Sequence, residues 1–246
     1  GRLRGAARAT LHAWAGAEGV RARLRVEAPD ARLDGLELGR LALDVSWLPD
    51  ADLPDVTLRV EGPAGRFEAR GRLPMDLDGA DGRLAWGAGP VEGRIVLRDA
   101  DLERWTAAFP GLALAGRADA ELALSGDATA PVIVARVDGR DVRWRGERVG
   151  AVRVDGRQEA DVATVAVGLG APDDPTATID ARVPLRIDLR TGEVAWLDAR
   201  PMALSIRAAG LTADRLRPLW SAPGGADFRV DVTIDGQGSL DDLALV

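Results

Sequence analysis

The sequence offers few residues that could carry out chemistry. Its 246 residues contain no cysteine and a single histidine, His12. A serine hydrolase would have to use that histidine, but no serine stands in a Gly-x-Ser-x-Gly elbow. We interpret His12 as a solvent-exposed or half-buried side chain at the end of a strand. We therefore expect no catalytic residue, no cofactor and no enzymatic activity.

Metal and nucleotide sites are also disfavoured. The densest acidic positions are Asp50 with Asp52, Asp173-Asp174 and Asp241-Asp242. Each lies beside Pro, Ala or Gly in a predicted turn, where Asp is favoured for local hydrogen bonding. No twelve-residue calcium loop, no Walker sequence and no dinucleotide-binding fingerprint is present. We predict no metal site.

Charge excludes further classes of function. The formal net charge is −7, and all 32 basic residues are arginine. An acidic chain is poorly suited to nucleic acid, because phosphate binding needs a basic stripe. It is equally poorly suited to polybasic binding of a membrane surface. The chain is therefore not expected to bind nucleic acid.

Seven tryptophans could suggest stacking on sugars or bases. However, Trp86 and Trp196 occupy matching places in a repeat described below. Trp47 lies in an alternating segment and Trp105 in a helical one. Aromatic side chains bury large apolar areas, so we favour core or groove packing over ligand stacking.

A repeat of about 110 residues organises the chain. The segments Arg72–Asp78 and Gly82–Trp86 recur, with conserved spacing, as Arg182–Asp188 and Gly192–Trp196. Self-similarity at a fixed period is the signature of repeat architectures. We place the units at roughly residues 5–115 and 116–225, with a third beginning at 226–246. The whole chain, residues 1–246, is then one continuous repetitive segment.

Within each unit the apolar residues alternate with charged ones. A period of two predicts antiparallel β-sheet with one apolar and one charged face. We predict hairpin turns at Asp138-Gly139, Asp155-Gly156 and Asp235-Gly236. Helical spacing predicts one short helix per unit, at residues 99–109 and 211–220.

These blocks resemble a known family. Their order is Arg182–Ile187, Gly192–Trp196, Pro201–Ile206, Leu211–Trp220 and Phe228–Gly236. The pattern resembles the TamB (translocation and assembly module) family and, more broadly, the AsmA-like proteins of diderm cell envelopes. The resemblance implies a mostly β fold, an elongated antiparallel sheet curled into a groove (a β-taco). It also implies a periplasmic protein, anchored in the inner membrane, that carries phospholipid to the outer membrane and supports outer-membrane protein assembly or secretion.

On that resemblance the apolar face would be a groove for phospholipid acyl chains. The membrane anchor and the C-terminal region that meets an outer-membrane barrel are not seen, so we expect a fragment of a longer protein. The residues proposed to line the groove are Leu41, Leu43, Val45, Leu73, Met75, Leu77, Trp86, Leu122, Leu124, Val183, Leu185, Ile187, Trp196, Val230, Val232 and Ile234.

An alternative architecture fits the repeat length. A unit near 110 residues is also the size of an immunoglobulin-like sandwich, as in tandem adhesion or scaffold domains of an envelope or secreted protein. The recurring helix, and the lack of a Pro/Ser-rich linker or an interdomain calcium motif, argue against it.

Overall fold

The computed structural model describes residues 3–16, 19–33, 36–48, 53–78, 83–87, 89–107, 113–171, 174–197, 200–212, 229–239 and 244–245. The first strands are β1 Leu3–Arg4, β2 Arg8–Gly16, β3 Gly19–Leu33, β4 Leu36–Trp47, β5 Asp55–Gly62, β6 Gly65–Arg72, β7 Met75–Asp78, β8 Arg83–Trp86 and β9 Glu92–Asp101. After helix α1, Leu102–Ala107, follow β10 Leu114–Asp127, β11 Ala130–Trp144, β12 Glu147–Glu159, β13 Val162–Ala171, β14 Asp174–Asp188, β15 Glu193–Trp196, β16 Met202–Thr212, β17 Arg229–Gly238 and β18 Ala244–Leu245.

The molecule is mostly β, built on a single open antiparallel sheet. The path of hydrogen-bonded neighbours runs through 14 strands, from β1 and β3 to β17 and β18. Strand β2 pairs with β3, and β15 with β14, while β7 and β8 form a separate two-stranded sheet. Along this path each strand pairs with the next in the chain, as in a meander, except that the path passes over β2, the β7–β8 hairpin and β15. A single open sheet differs from the two facing sheets that tandem sandwiches would require.

Some pairs in one ladder lie 110 or 111 positions before pairs in another ladder. In β3–β4, Ala28 pairs with Leu41 and Ala31 with Gly39, with a bulge between them. In β11–β12, the pairs Gly139–Val152 and Val142–Gly150 lie 111 positions later, with the same bulge. The hairpin pairs Met75–Trp86 and Leu185–Trp196 are 110 positions apart.

The turns differ from those predicted. Asp138-Gly139, Asp155-Gly156 and Asp235-Gly236 lie inside β11, β12 and β17, so the prediction of turns there was wrong. The strands run through them, and the true turns come at positions such as Ala128-Thr129 and Arg145-Gly146. At Gly139 the absence of a side chain matters for packing. A Cβ on Gly139 would lie 2.7 Å from Cγ2 of Val142 at the bulge.

One of the two predicted helices falls within the described residues. Helix α1 covers Leu102–Ala107, in the segment predicted as helical. It contacts β4, β9 and β10 at one end of the strands. Trp105 Nε1 donates a hydrogen bond of 2.8 Å to Ala64 O. In the second segment, Leu211 and Thr212 complete β16, which corrects the start of that helix. Residues 213–220 lie outside the described part.

Little of the described chain is fully buried. The buried hydrophobic residues are mainly alanines at strand ends, and the core cluster consists of Ala28, Ala31 and Leu38 near α1. No second sheet packs over the described strands as in a sandwich. The accessible surface is 16068 Å². A compact monomer of 25.9 kDa would expose roughly 10,500 Å². The fold is therefore an extended layer.

Two hairpins lie at the other ends of the strands, away from α1. Pro74 O and Pro184 O each accept a hydrogen bond, from Gly87 N and Leu197 N respectively, which closes the β7–β8 and β14–β15 hairpins. Between them lies Ala128, in the β10–β11 turn. Its N–H donates to Gly89 O, and its carbonyl accepts from Leu189 N, at 2.9 and 2.8 Å. The two hairpins are thereby linked through one turn of the main sheet.

The paired glycines Gly71 and Gly93 give a test of this geometry. They face each other between β6 and β9, but only a Cβ on Gly71 would collide with a backbone atom, Glu92 O. On Gly93 the nearest atom would be Arg70 O at 3.4 Å. We expect Gly71→Ala to lower the free energy of unfolding by about 2 kcal/mol, because the strands must separate. Gly93→Ala should change it by less than about 0.5 kcal/mol. Urea titrations would measure both, and equal losses would contradict the close approach.

Candidate apolar binding face

A continuous apolar row crosses the sheet at right angles to the strands. Directly paired residues point to the same face, so the register defines the row without further assumption. Every member is aliphatic or aromatic, and every member is half-buried. The row, here called row 1, runs through Leu41, Val60, Phe67, Leu97, Ala120, Val137, Val154, Val167, Ile179, Ile206 and Ile234.

Two further rows lie beside it on the same face. Row 2 is Val26, Leu43, Leu58, Ala69, Ile95, Leu122, Ala135, Gly156, Val165, Ala181, Leu204 and Gly236. Row 3 is Leu24, Val45, Val56, Gly71, Gly93, Leu124, Ile133, Gln158, Ala163 and Val183. We call the three rows together the apolar face. With strands about 4.8 Å apart, row 2 is roughly 50 Å long.

The apolar face is neither buried in a core nor dispersed on the surface. Nearly all its members are half-buried, because each side chain packs against its neighbours in the row while no second sheet among the described residues covers it. A soluble monomer rarely exposes a contiguous apolar patch of more than a few hundred Å². A strip of this length that no described strand covers is the kind of surface that marks a ligand-binding groove or an interaction site.

The opposite face carries charges in pairs. Arg23 Nη2 lies 2.6 Å from Asp44 Oδ2, and Arg136 Nε lies 2.7 Å from Asp155 Oδ1. Similar pairs join neighbouring strands along the sheet: Arg59–Glu68, Arg72–Glu92, Arg94–Glu121 and Arg140–Asp119. Exposed pairs contribute little stability individually. Together they keep this face wetted.

These arginines lower the pKa of their partners. The hydrogen bond from Arg23 holds the pKa of Asp44 below its usual value, and Arg136 does the same for Asp155. Hydrogen bonds from Arg59 and Arg70 lower the pKa of the Glu68 carboxyl. The carboxylates are therefore held in their ionised form across neutral pH.

The structure brings together only part of the predicted groove. The predicted groove residues that lie in the three rows are Leu41, Leu43, Val45, Leu122, Leu124, Val183 and Ile234. Val230 and Val232 stand four and two residues before Ile234 in β17. Leu73 follows β6 outside any strand. The others, Met75, Leu77, Trp86, Leu185, Ile187 and Trp196, belong to the two edge hairpins. Met75 pairs with Trp86, and Leu77 with Leu84, in the β7–β8 hairpin.

Several residues of the apolar face were absent from the sequence prediction. Most lie in β5, β9, β11, β12 and β13, for example Val60, Ile95, Val137, Val154 and Val167. Their alternation is visible in the sequence, as in Val162–Ala171. Small residues such as Ala135 and Gly156 obscure the alternation, because they lie on the apolar face without being strongly apolar.

The residues that the sequence singles out for chemistry are one histidine and several aspartates. His12 is exposed in β2 and stacks on Trp14, with ring centroids 5.8 Å apart. Asp174 opens β14, whereas Asp50, Asp52, Asp173, Asp241 and Asp242 lie outside the described residues. Within the described part, no group of three or more His, Cys, Asp or Glu side chains could hold a metal ion. Nor does that part contain a helix long and apolar enough to cross a membrane.

A concavity of about 880 Å³ lies on the charged face, opposite the apolar one. Small side chains such as Ala166, Ala203 and Ser205 form its floor. Long ones such as Arg136 and Arg182 form its walls. Apolar atoms make up most of its lining, although charged side chains border it.

Comparisons with protein-family models, with curated proteins and with solved structures gave no match for this chain. The functional argument therefore depends on the apolar face itself.

The charged pairs predict how stability varies with pH. Because the folded pKa values of Asp44, Glu68 and Asp155 are lowered, their contribution is complete above the unfolded values near pH 4 and is lost as pH falls through the folded values. We expect the urea midpoint to fall as pH drops below about 4. Asp155→Asn should lower the midpoint at pH 7 and flatten this decline. Asp180→Asn is the control, since Asp180 has no ion-pair partner in the described chain, and an equal effect there would contradict the assignment.

Proposed function

We propose that this chain is a segment of a periplasmic, envelope-spanning protein whose apolar face conducts phospholipids between inner and outer membrane. The observation that carries the proposal is the apolar face of three rows, with one layer of strands and no covering sheet in the described residues. An acyl chain lying on the apolar face would remove apolar surface of both the lipid and the protein from water. The favourable free energy is about 25 cal/mol per Å² buried.

The dimensions suit lipid acyl chains. Row 2 is roughly 50 Å long, whereas one bilayer leaflet holds acyl chains across about 15 Å, half of the hydrocarbon core. Several lipids could therefore occupy the face in sequence. Successive side chains on one face of a strand are about 7 Å apart, so the three rows span about 14 Å.

The recurrence of the ladders supports the repeat that this proposal requires. Pairs and bulges of β3–β4 return in β11–β12, and the β7–β8 pairs return in β14–β15. The bulge of β9–β10 between Ala118 and Ala120 returns in β16–β17 between Val230 and Val232, 112 positions later. A repeating unit can lengthen such a face without changing its cross-section.

The charged face supports the proposal in another way. A strip that solvates lipid must stay dissolved on its other side, and a ladder of ion pairs provides that. The resemblance of the sequence blocks to the TamB and AsmA-like families agrees with this arrangement. Support of outer-membrane protein assembly, and a barrel partner, remain proposals that follow from that resemblance alone.

A direct test is native mass spectrometry of the chain purified without detergent. We expect adducts with the mass of phospholipid, because the apolar face should retain lipid from the membranes of the cells that produce the protein. Consistent recovery of lipid-free protein that also fails to take up phospholipid from vesicles would contradict the proposal.

A charge placed centrally on the apolar face should block lipid without unfolding the sheet. Val165 lies in row 2 between Gly156 and Ala181, and its half-buried position lets a carboxylate reach water. We expect Val165→Asp to unfold cooperatively with less than about 2 kcal/mol lost, and to carry several-fold less phospholipid. A fully closed core would instead lose several kcal/mol.

The matched control is Thr164→Asp. Thr164 is exposed on the charged face and pairs with Arg157 and Arg182, so an added carboxylate meets opposite charge. Its lipid content and stability should equal those of the native chain. Equal lipid content in both variants, or global unfolding of Val165→Asp alone, would contradict an open conduit.

A further inference from the structure

The concavity on the charged face has β13 as its middle strand, and the side chains of β13 there are short. Ala166 is exposed and pairs directly with Asp155 of β12 on one side and with Asp180 of β14 on the other. Paired residues point to the same face, so a carboxylate stands on each side of one methyl group. The strands that carry the two carboxylates are roughly 10 Å apart. We call these three residues the acidic site.

The opposite charge flanks β13 two residues earlier. Thr164 is exposed and pairs with Arg157 and Arg182. These residues also line the concavity, and we call them the basic site. Arg157 is bonded to Glu159 of its own strand as well. Since Thr164 and Ala166 are two positions apart on one strand, the acidic and basic sites are about 7 Å apart.

The charges of the β14 residues are available to a ligand. Within the described chain, neither Asp180 nor Arg182 forms an ion pair or a side-chain hydrogen bond. On the β12 side, hydrogen bonds from Arg136 and Arg153 lower the pKa of the Asp155 carboxyl. The acidic site therefore keeps its negative charge at neutral pH.

Strand pairing does not require like charges on both sides of a small residue. In β4, β5 and β6, Thr57 stands between Asp44 and Arg70, so a negative and a positive charge flank it. Across β13 the flanking charges have the same sign at each site, and like charges repel. A bound group of opposite charge between them removes that repulsion.

We infer that the concavity binds a small zwitterion, whose primary ammonium occupies the acidic site and whose carboxylate occupies the basic site. Both sites are open to solvent, because Ala166 and Thr164 are exposed. Guanidinium groups form charge-assisted hydrogen bonds with carboxylates. Apolar atoms make up most of the lining, and they contact the methylene chain between the two charged groups. The concavity lies on the face opposite the apolar rows, so the inference does not depend on the proposed function.

The test titrates 5-aminopentanoate into the isotope-labelled 246-residue chain and follows the amide chemical shifts. Pentanoate and pentylamine each carry one of its two charges, and the charged groups of glycine are too close together to reach both sites. We expect shifts centred on β12–β14 and about tenfold tighter binding of 5-aminopentanoate than of the other three, because each end meets two opposite charges. Equal binding of 5-aminopentanoate and any of the three, no binding, or shifts centred elsewhere would overturn the inference.

Two variants assign the ends of the ligand. Asp180→Asn should abolish most of the preference for 5-aminopentanoate over pentanoate, and Arg182→Gln most of its preference over pentylamine. The control is Arg98→Gln, which changes the net charge as Arg182→Gln does but lies on β9, outside the concavity. It should bind as the native chain does. An equal loss in Arg98→Gln, or native preferences in the other two variants, would overturn the inference. Circular dichroism establishes that each variant is folded, and the native chain's preference among the four probes decides the matter if one is not.

Discussion

The backbone ladder between consecutive strands is the interaction on which the rest of this structure depends. In most domains two layers bury a core between them, and the packing of those layers supplies much of the stability. Here the described strands form one layer, and the core cluster near α1 holds only Ala28, Ala31 and Leu38. The stabilising contacts are therefore those within the sheet: paired backbone groups, cross-strand apolar neighbours and ion pairs. Register is strictly constrained as a result, because a slip of one residue would exchange the apolar and charged faces along a whole strand.

That constraint explains where irregularity is tolerated. The bulges between Ala28 and Ala31 and between Gly139 and Val142 lie toward the edge near α1, outside the three apolar rows. Two residues then oppose one, and pairing resumes beyond the bulge without disturbing the central rows. At the opposite edge the hairpins β7–β8 and β14–β15 leave the main ladder after Pro74 and Pro184. A proline cannot donate to a ladder, so it marks a suitable point for a strand to turn away.

Sequence reasoning recovers the class of fold and the two-faced character, because a period of two is local information. It recovers α1 for the same reason. It does not place the turns. Asp-Gly pairs are strong hairpin signals, yet Asp155-Gly156 lies inside β12, where Gly156 faces Ala135 and Val165 in row 2. Which residues share a row is set by strands that are neighbours only in space. The same holds for Gln158, whose partner Leu185 is 27 positions away. The hairpin residues Leu185 and Trp196 were placed in the groove because their alternation continues past Pro184, and nothing local signals that the strand has left the main sheet.

An apolar face without a covering layer connects stability to occupancy. In a closed domain the core is buried by the protein itself, so ligand binding and folding use different surfaces. In this sheet the surface that would bind an acyl chain is also the surface whose exposure opposes folding. Any occupant that covers rows 1 and 2 removes apolar area from water in the folded state only, and mass action then raises the apparent stability with its concentration. The face need not bind any one chain tightly to benefit, since the hydrophobic term is non-directional and scales with area. Non-directional attraction also lets a chain shift from strand to strand without losing contact, which is the property that a conduit requires.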